Sequence, residues 1–243
     1  MTVTIRIAPE SRDKDFVEDI MNQVTLLEGD CLQELKKLPG ESVHCCVTAP
    51  PCWMGPDEGV NHRYIGMEQA PEQFILKLLH IFRELQRVLC ERGMFWLIMG
   101  DCSFAPDGRR GIPWHLAFAL ESDGWHLRKE HIWDDMEGGH DYIFLFTKDK
   151  LIPFTSYSSL GSVWHIPLEA SPRGFSYTVT PVKLLEPCIL GGSLRGDTII
   201  DPFCGSGTVG CAALKHNRNF IGIDLNPAAL EIARHSLQAE NQH

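Results

Sequence analysis

Five short apolar runs of the sequence each end in acidic or turn-forming residues, and longer amphipathic segments separate most of them. The runs are VTLLEGD, VHCCVTA, GMFWLIMGD, DTIIDPF and FIGIDLN. Alternation of strands and helices is typical of a mostly parallel sheet with helices on both faces, an α/β fold. Such a sheet binds its ligands at the carboxyl ends of its strands, so we expect functional residues directly after these runs.

Amphipathic segments predict the covering helices. Between residues 72 and 89 the apolar residues recur at spacings of three and four, which places Phe74, Leu78, Phe82, Leu85 and Leu89 on one helical face. Further helices are predicted from Pro113 to about Ser122, Pro181 to about Leu190, Thr208 to about His216 and Pro227 to Gln238. Residues 54–70 and 151–180 are rich in Gly, Pro and Ser, and we predict long loops there, where substrate contacts tend to lie.

Length and composition set outer limits on the protein. The 243 residues suffice for one sizeable core, and we predict a single domain over residues 1–243. No apolar stretch approaches the roughly 18 residues of a membrane span, so a cytoplasmic protein is expected. Nine cysteines form no CxxC pair and the histidines no HExxH pair, so we predict neither disulfides nor a metal site. A formal charge of -10 argues against a protein that coats nucleic acid, although it allows a local basic cleft.

The segment GDTIIDPFCGSGTVGCAAL predicts a strand, a tight glycine turn and a helix. Gly205 and Gly207 would let the backbone approach a ligand at the start of that helix. The next strand ends in Asp224, 19 residues after Gly205, close to the spacing at which an acid meets a ribose hydroxyl in nucleotide-binding βαβ units. Because the glycines follow Pro-Phe-Cys rather than an uninterrupted strand, a dinucleotide-binding dehydrogenase is disfavoured.

DPFCGSGT resembles the S-adenosylmethionine motif of the DNA amino-methyltransferases, which methylate the exocyclic nitrogen of adenine or cytosine. The resemblance spans roughly residues 24–239 and includes RVLCERGMFWLIMGD, HDYIFLFTK and FIGIDLN, in the permuted (beta-type) order with the catalytic motif first. It implies a Rossmann-like methyltransferase fold with a seven-stranded, mostly parallel sheet and S-adenosyl-L-methionine as cofactor. It also implies DNA as partner, with RNA or single-stranded DNA as alternatives, contacted by the loops 54–70 and 151–180.

The resemblance also assigns cofactor residues by motif position. Asp224 would bind the ribose, and Asp30 would lie near the adenine unless it merely caps a turn or helix before Leu32. The residues around the methionine end would be Asp201, Phe203, Gly205, Ser206, Gly207 and Thr208. The alternative for the glycines is a plain strand-to-helix turn without a ligand.

The catalytic motif of the family begins with Asp, Asn or Ser, followed by Pro-Pro and an aromatic residue. This chain instead reads Thr48-Ala49-Pro50-Pro51-Cys52-Trp53. In the family the first side chain and a prolyl carbonyl accept hydrogen bonds from the target amino group, and the ring stacks on the flipped base. Ala49 cannot accept a hydrogen bond and Cys52 cannot stack, which together would slow amino-methylation about ten- to a thousandfold. Trp53 could restore the stack.

Pro51-Cys52 resembles the nucleophile motif of the cytosine-C5 methyltransferases, whose thiolate adds at carbon 6 of cytosine. Our first hypothesis is therefore C5 methylation of cytosine through Cys52. The alternatives are methylation of an exocyclic amine, a catalytically inactive cofactor-binding subunit in which Cys52 is a small apolar filler, and a small-molecule or protein methyltransferase. The Glu-Asn-Val motif of the C5 enzymes is missing, and the unranked candidates for the acid are Asp57, Glu58, Glu68 and Asp101. Asp101 could equally cap the turn that follows it.

Overall fold

The computed structural model describes residues 2–7, 22–55, 64–101, 111–152, 161–169 and 180–240. In chain order the elements of these ranges are β1 (Thr2–Ile7), β2 (Asn22–Glu28), α1 (Cys31–Lys37), β3 (Val43–Thr48), α2 (Pro71–Val88), β4 (Leu89–Gly100), α3 (Ile112–Ser122), β5 (His126–Asp134), β6 (His140–Thr147), β7 (Val163–His165), α4 (Val182–Gly192), β8 (Thr198–Asp201), α5 (Thr208–Lys215), β9 (Asn219–Asp224) and α6 (Pro227–Glu240). Within these ranges, no helix is both long and apolar enough to cross a membrane.

The strands form one sheet in the order β1-β2-β9-β8-β3-β4-β6-β5-β7. Its five neighbours β2, β9, β8, β3 and β4 run parallel, and they are the five strands that the apolar runs predicted. Their carboxyl ends therefore lie side by side along one edge of the sheet, which we call the carboxyl edge. The strand before Cys52 is paired directly with the strand before Gly205.

The sheet of the described ranges has nine strands where seven were predicted. The two extra strands lie at its outer edges, β1 antiparallel to β2 and β7 parallel to β5. β7 interrupts the segment 151–180 that was predicted to be a loop, and it is short, with only Trp164 buried between two exposed neighbours. Such a strand has no apolar run to reveal it. β1 does alternate apolar and polar residues in TVTIRI, a period-two signal that the prediction did not use.

Helices cover both faces of the sheet, and the predicted helices are present with ends within about two residues of the prediction. α1, α2 and α3 pack on one face, and α4, α5 and α6 on the other. The predicted face of α2 is fully buried at Phe74, Leu78, Phe82 and Leu85, and each such side chain stabilises the fold by roughly 1.5–3 kcal/mol. Leu89 is buried too, but as the first residue of β4. α1 was not predicted as a helix.

Candidate functional site

The carboxyl edge brings together acidic residues that are far apart in the sequence. Asp30 follows β2, Asp224 ends β9 and Asp201 ends β8. The backbone N–H of Gly29 donates to the carbonyl of Asp224 at 3.0 Å, and the N–H of Cys204 donates to the carbonyl of Ile223 at 3.0 Å. Three of the predicted cofactor residues thus lie on adjacent strands.

The glycine turn between β8 and α5 has the conformation that its sequence predicted. Gly205 has φ 48° and Gly207 φ 81°, both in the left-handed region that favours glycine. A Cβ on Gly207 would come within 2.9 Å of the Ala233 Cβ on α6, so the turn also packs too tightly for a side chain. Ser206 is buried, whereas Phe203 and Thr208 are half-buried.

The Asp224 carboxylate holds this turn against the end of β9. One oxygen accepts from the N–H of Gly205 at 2.8 Å, and the other accepts from the N–H of Asn226 at 2.8 Å. Burial raises the pKa of Asp224, although these two N–H groups oppose the shift. Each oxygen keeps a second lone pair with which it could accept from a ligand hydroxyl.

A buried hydrogen bond ties the glycine turn to the strand that carries the catalytic motif. The Thr48 hydroxyl donates to Asp201 Oδ1 at 2.6 Å, and the same oxygen accepts from the N–H of Phe203 at 3.0 Å. Burial raises the pKa of Asp201 to about 7, and the nearby charge of Asp224 adds to that rise. The sequence does not reveal this role of Thr48, because no sequence pattern identifies the partner of a threonine at the end of a strand.

Asp30 forms the N-cap of α1, where Oδ1 accepts from the N–H of Gln33 at 3.1 Å. The capping role that was open for this residue is therefore present. Its carboxylate is half-buried at the carboxyl edge, so the cap and a ligand contact through the second oxygen are compatible.

The loop after β3 exposes Ala49, Pro51 and Cys52 and buries Pro50 and Trp53. Cys52 Sγ lies 3.8 Å from the carbonyl oxygen of Gly100, at the end of β4. The Trp53 side chain is turned into the core beneath α2, and its indole N–H donates to the carbonyl of Glu68 at 2.9 Å. The expectation that Trp53 could stack on a base is therefore wrong for this conformation.

Glu68 anchors the same loop from the other side. Its carboxylate is buried, with one oxygen 2.7 Å from Lys77 Nζ and the other accepting from the N–H of Gly66 at 2.9 Å. The carbonyl of Gly66 in turn accepts from the N–H groups of Met54 at 2.8 Å and Gly55 at 3.1 Å. Gly66 has φ 102°, and a Cβ there would lie 2.4 Å from the Cys52 carbonyl oxygen. Glu68 thus acts through backbone contacts that fix the loop.

Of the other three candidates for the acid, the structure describes one, Asp101. Asp101 caps α3, since its carboxylate accepts from the N–H groups of Gly111 at 2.7 Å and Ile112 at 3.3 Å. Asp101 therefore binds the start of α3, whereas the turn directly after Asp101 lies outside the described residues. Asp57 and Glu58 lie outside the described residues, as do residues 56–63 of the first loop and residues 153–160 and 170–179 of the second. Among the residues that the structure does describe, no group of three or more His, Cys, Asp or Glu side chains could hold a metal ion.

The chemistry of the carboxyl edge fits a cationic ligand that carries hydroxyl groups. Asp30 and Asp224 supply carboxylate oxygens there, and these would repel the phosphates of a nucleotide. S-adenosyl-L-methionine has no phosphate. It offers two ribose hydroxyls as donors, together with an ammonium and a sulfonium, so the residues present fit this molecule.

The fold and this edge define an S-adenosylmethionine-dependent methyltransferase. Two solved structures share the fold: TTHA0409 from Thermus thermophilus, complexed with S-adenosyl-L-methionine, has a TM-score of 0.68 at 23% identity, covering 89% of this chain and 95% of that one. The cytosine-N4-specific PvuII DNA methyltransferase has a TM-score of 0.73 at 16% identity, covering 90% and 91%.

The chain belongs to the N6/N4 DNA methylase family, whose family model matches residues 43–235. It is 33% identical to the type II methyltransferase M.Cfr9I of Citrobacter freundii over 271 residues, which covers 91% of this chain and 90% of that protein. The protein is thus an S-adenosylmethionine-dependent DNA methyltransferase of the N4/N6 type. The comparisons do not support C5 methylation of cytosine, and they favour the alternative of exocyclic amino methylation.

The raised pKa of Asp201 predicts a pH-dependent contribution to stability that Asp201→Asn removes. A carboxyl group with a folded-state pKa of about 7 and an ordinary pKa of 3.8 binds more protons in the folded state, so the free energy of unfolding decreases as the pH rises from about 4 through 7. The full loss approaches about 4 kcal/mol. Asparagine keeps the acceptor for Thr48 without the charge, so urea unfolding from pH 4 to about 8 should show the variant gaining stability relative to the wild type. The exposed Glu121→Gln is the control, and parallel profiles for Asp201→Asn and the wild type would contradict the assignment.

Proposed function

We propose that this protein methylates the exocyclic amino group of a base in DNA, N4 of cytosine or N6 of adenine. The main support for the proposal is the direct pairing of β3 with β8, together with the hydrogen bond between Thr48 and Asp201. It puts the loop Ala49–Trp53 beside the glycine turn, so a base at the first would meet a methyl donor at the second. Similarity to a type II methyltransferase supports a role in restriction and modification.

The site residues support this proposal over attack by Cys52. Addition of a thiolate at carbon 6 needs an acid that protonates the cytosine ring, and of the described candidates Glu68 binds Lys77 while Asp101 caps α3. The exposed thiol of Cys52 is then a small contact beneath the base, where the family has an aromatic ring. In this proposal a carbonyl of Pro50 or Pro51 accepts one hydrogen of the target amine.

The proposed cofactor contacts follow the carboxyl edge. Asp224 would accept from the ribose hydroxyls, and Asp30 would lie on the adenine side. The residues of the methionine end would be Asp201, Phe203, Gly205, Ser206, Gly207 and Thr208. When bound, S-adenosyl-L-methionine supplies the methyl group. We propose that DNA is contacted by the loops 54–70 and 151–180.

Labelling of nucleosides tests the target atom. DNA and RNA are incubated with the protein and methyl-labelled S-adenosylmethionine, and mass spectrometry separates 5-methylcytosine, N4-methylcytosine and N6-methyladenine. We expect label on an exocyclic amine of DNA, and we expect Cys52→Ala to keep at least about a tenth of the wild-type rate because the thiol makes no bond to the base. Cys90→Ala, at the opposite end of β4, is the control.

Two outcomes would contradict the proposal. Label in 5-methylcytosine that disappears in Cys52→Ala would restore the nucleophile hypothesis. Cofactor binding without label on any nucleic acid would favour the inactive cofactor-binding subunit.

Calorimetry tests the role of Asp224 without turnover. In Asp224→Asn an amide NH₂ replaces one carboxylate oxygen and faces a backbone N–H, either that of Gly205 or that of Asn226. We expect the dissociation constant for S-adenosyl-L-methionine to rise about ten- to a hundredfold, as for the loss of a hydrogen bond to a charged group. Asp197→Asn changes an aspartate just before the amino end of β8 and is the matched control. Equal affinities for Asp224→Asn and the wild type would exclude a ribose contact at Asp224.

A further inference from the structure

Amino methylation requires an acceptor that the loop after β3 does not fully supply. The target nitrogen gains positive charge as its bond to the methyl carbon forms, and an oxygen aimed at its N–H stabilises that charge. The family places a side-chain oxygen at position 49, where this chain has alanine. A methylation rate typical of the family therefore requires a hydrogen-bond acceptor oxygen from another strand or loop.

Two carboxylates near the loop serve the structure instead. Glu68 binds Lys77 and the N–H of Gly66 within the core side of the loop. Asp101 is directed towards the N-terminus of α3, on the face of the sheet that α1, α2 and α3 cover. Both contacts lie on the side of α2 and α3, whereas the glycine turn leads into α5 on the other face of the sheet.

A third carboxylate, that of Asp141, lies beside the end of β4. Because β6 runs antiparallel to β4, its first residues reach the carboxyl edge, and Asp141 is paired with Gly100. A Cβ built on Gly100 would lie 2.4 Å from Asp141 Oδ1, so the carboxylate occupies the space that a side chain at position 100 would fill. Cys52 Sγ lies 3.8 Å from the carbonyl oxygen of the same Gly100. Gly100 therefore lies next to both the loop Ala49–Trp53 and Asp141.

The direction of the Asp141 side chain also fits the reaction. Residues of a strand alternate between faces, so Asp141 shares its face with Ile143 and Leu145, which pack in the core beneath α4, α5 and α6. The glycine turn leads into α5 on this same face. Asp141 is half-buried at the carboxyl edge.

We propose that Asp141 is the hydrogen-bond acceptor for the target amino group, in place of the side chain that is missing at position 49. This inference rests on the proposed amino methylation. The amino nitrogen gives its electron pair to the new bond with the methyl carbon, and the donor leaves as S-adenosylhomocysteine. The nitrogen then loses one proton to the Asp141 carboxylate, which passes it to water.

Single-turnover rates of Asp141→Asn, Asp141→Glu and Gly100→Ala, on DNA that the wild type labels, test the assignment. We expect Asp141→Asn to be about ten- to a hundredfold slower, and Asp141→Glu to recover part of that loss because it restores a carboxylate. Gly100→Ala displaces the carboxylate without changing it and should slow the reaction as well. Asp134→Asn, on the neighbouring strand and paired with His165, is the matched control and should stay within about twofold of the wild type.

A second measurement separates this role from a structural one. Serine at position 49 would restore the family's acceptor, so Ala49→Ser should raise the rate of Asp141→Asn by a larger factor than it raises the wild-type rate. Calorimetry should give the same affinity for S-adenosyl-L-methionine in Asp141→Asn and the wild type. If Asp141→Asn does not fold, Gly100→Ala and Asp141→Glu carry the test.

The outcomes distinguish the inference from the proposed function. Rates of Asp141→Asn and Gly100→Ala within about twofold of the wild type, or equal gains from Ala49→Ser in both backgrounds, would overturn the role of Asp141 while label stays on the exocyclic amine. Label in 5-methylcytosine instead would overturn the amino methylation itself.

Discussion

The hydrogen bond from Thr48 to Asp201 joins the two strand ends on which the site depends. It is buried, it measures 2.6 Å, and its acceptor also fixes the start of the glycine turn through the N–H of Phe203. A buried carboxylate costs free energy unless donors surround it, and here the donors come from the catalytic strand and from the cofactor turn. This oxygen atom therefore links the two halves of the site.

The sequence predicted the elements better than it predicted the contacts between them. The five apolar runs became the five parallel strands, because each contributes buried apolar side chains to the core and ends at a polar or glycine turn. Asp30, Asp201 and Asp224 lie at one edge of the sheet because β2, β8 and β9 run parallel. The orientation of the Trp53 side chain could not be predicted in the same way, because it depends on a hydrogen bond to the carbonyl of Glu68, 15 residues later in the chain. Asp141 was part of a recognised segment, but only the antiparallel register of β6 places it at Gly100.

The C5 hypothesis assumes that Ala49 and Cys52 alone determine which reaction the site catalyses. A site at the edge of a sheet is assembled from several strands, so an acceptor lost from one strand can be supplied by its neighbour. β3, β4 and β6 are consecutive in the sheet, and each contributes a residue within one short stretch of the edge: Cys52, Gly100 and Asp141. Under the proposed amino methylation, Cys52 occupies the position of the family's aromatic ring and does not act as a nucleophile. The family membership of the chain agrees with this interpretation.

The acidity of the carboxyl edge constrains how DNA can reach it. Asp30 and Asp224 lie at or just after the ends of the neighbouring strands β2 and β9, Asp141 lies near the start of β6, and the whole chain carries a formal charge of -10. Phosphates of a duplex are repelled by such a surface, whereas a neutral base is not. The carboxylates that suit a sulfonium cofactor therefore disfavour a close approach of the sugar-phosphate backbone, and under the proposed function a base would leave the helix to meet the methyl donor. Under the proposed function, the cations that bind the backbone belong on the loops around the edge, and the electrostatics of the cofactor site select an extruded base.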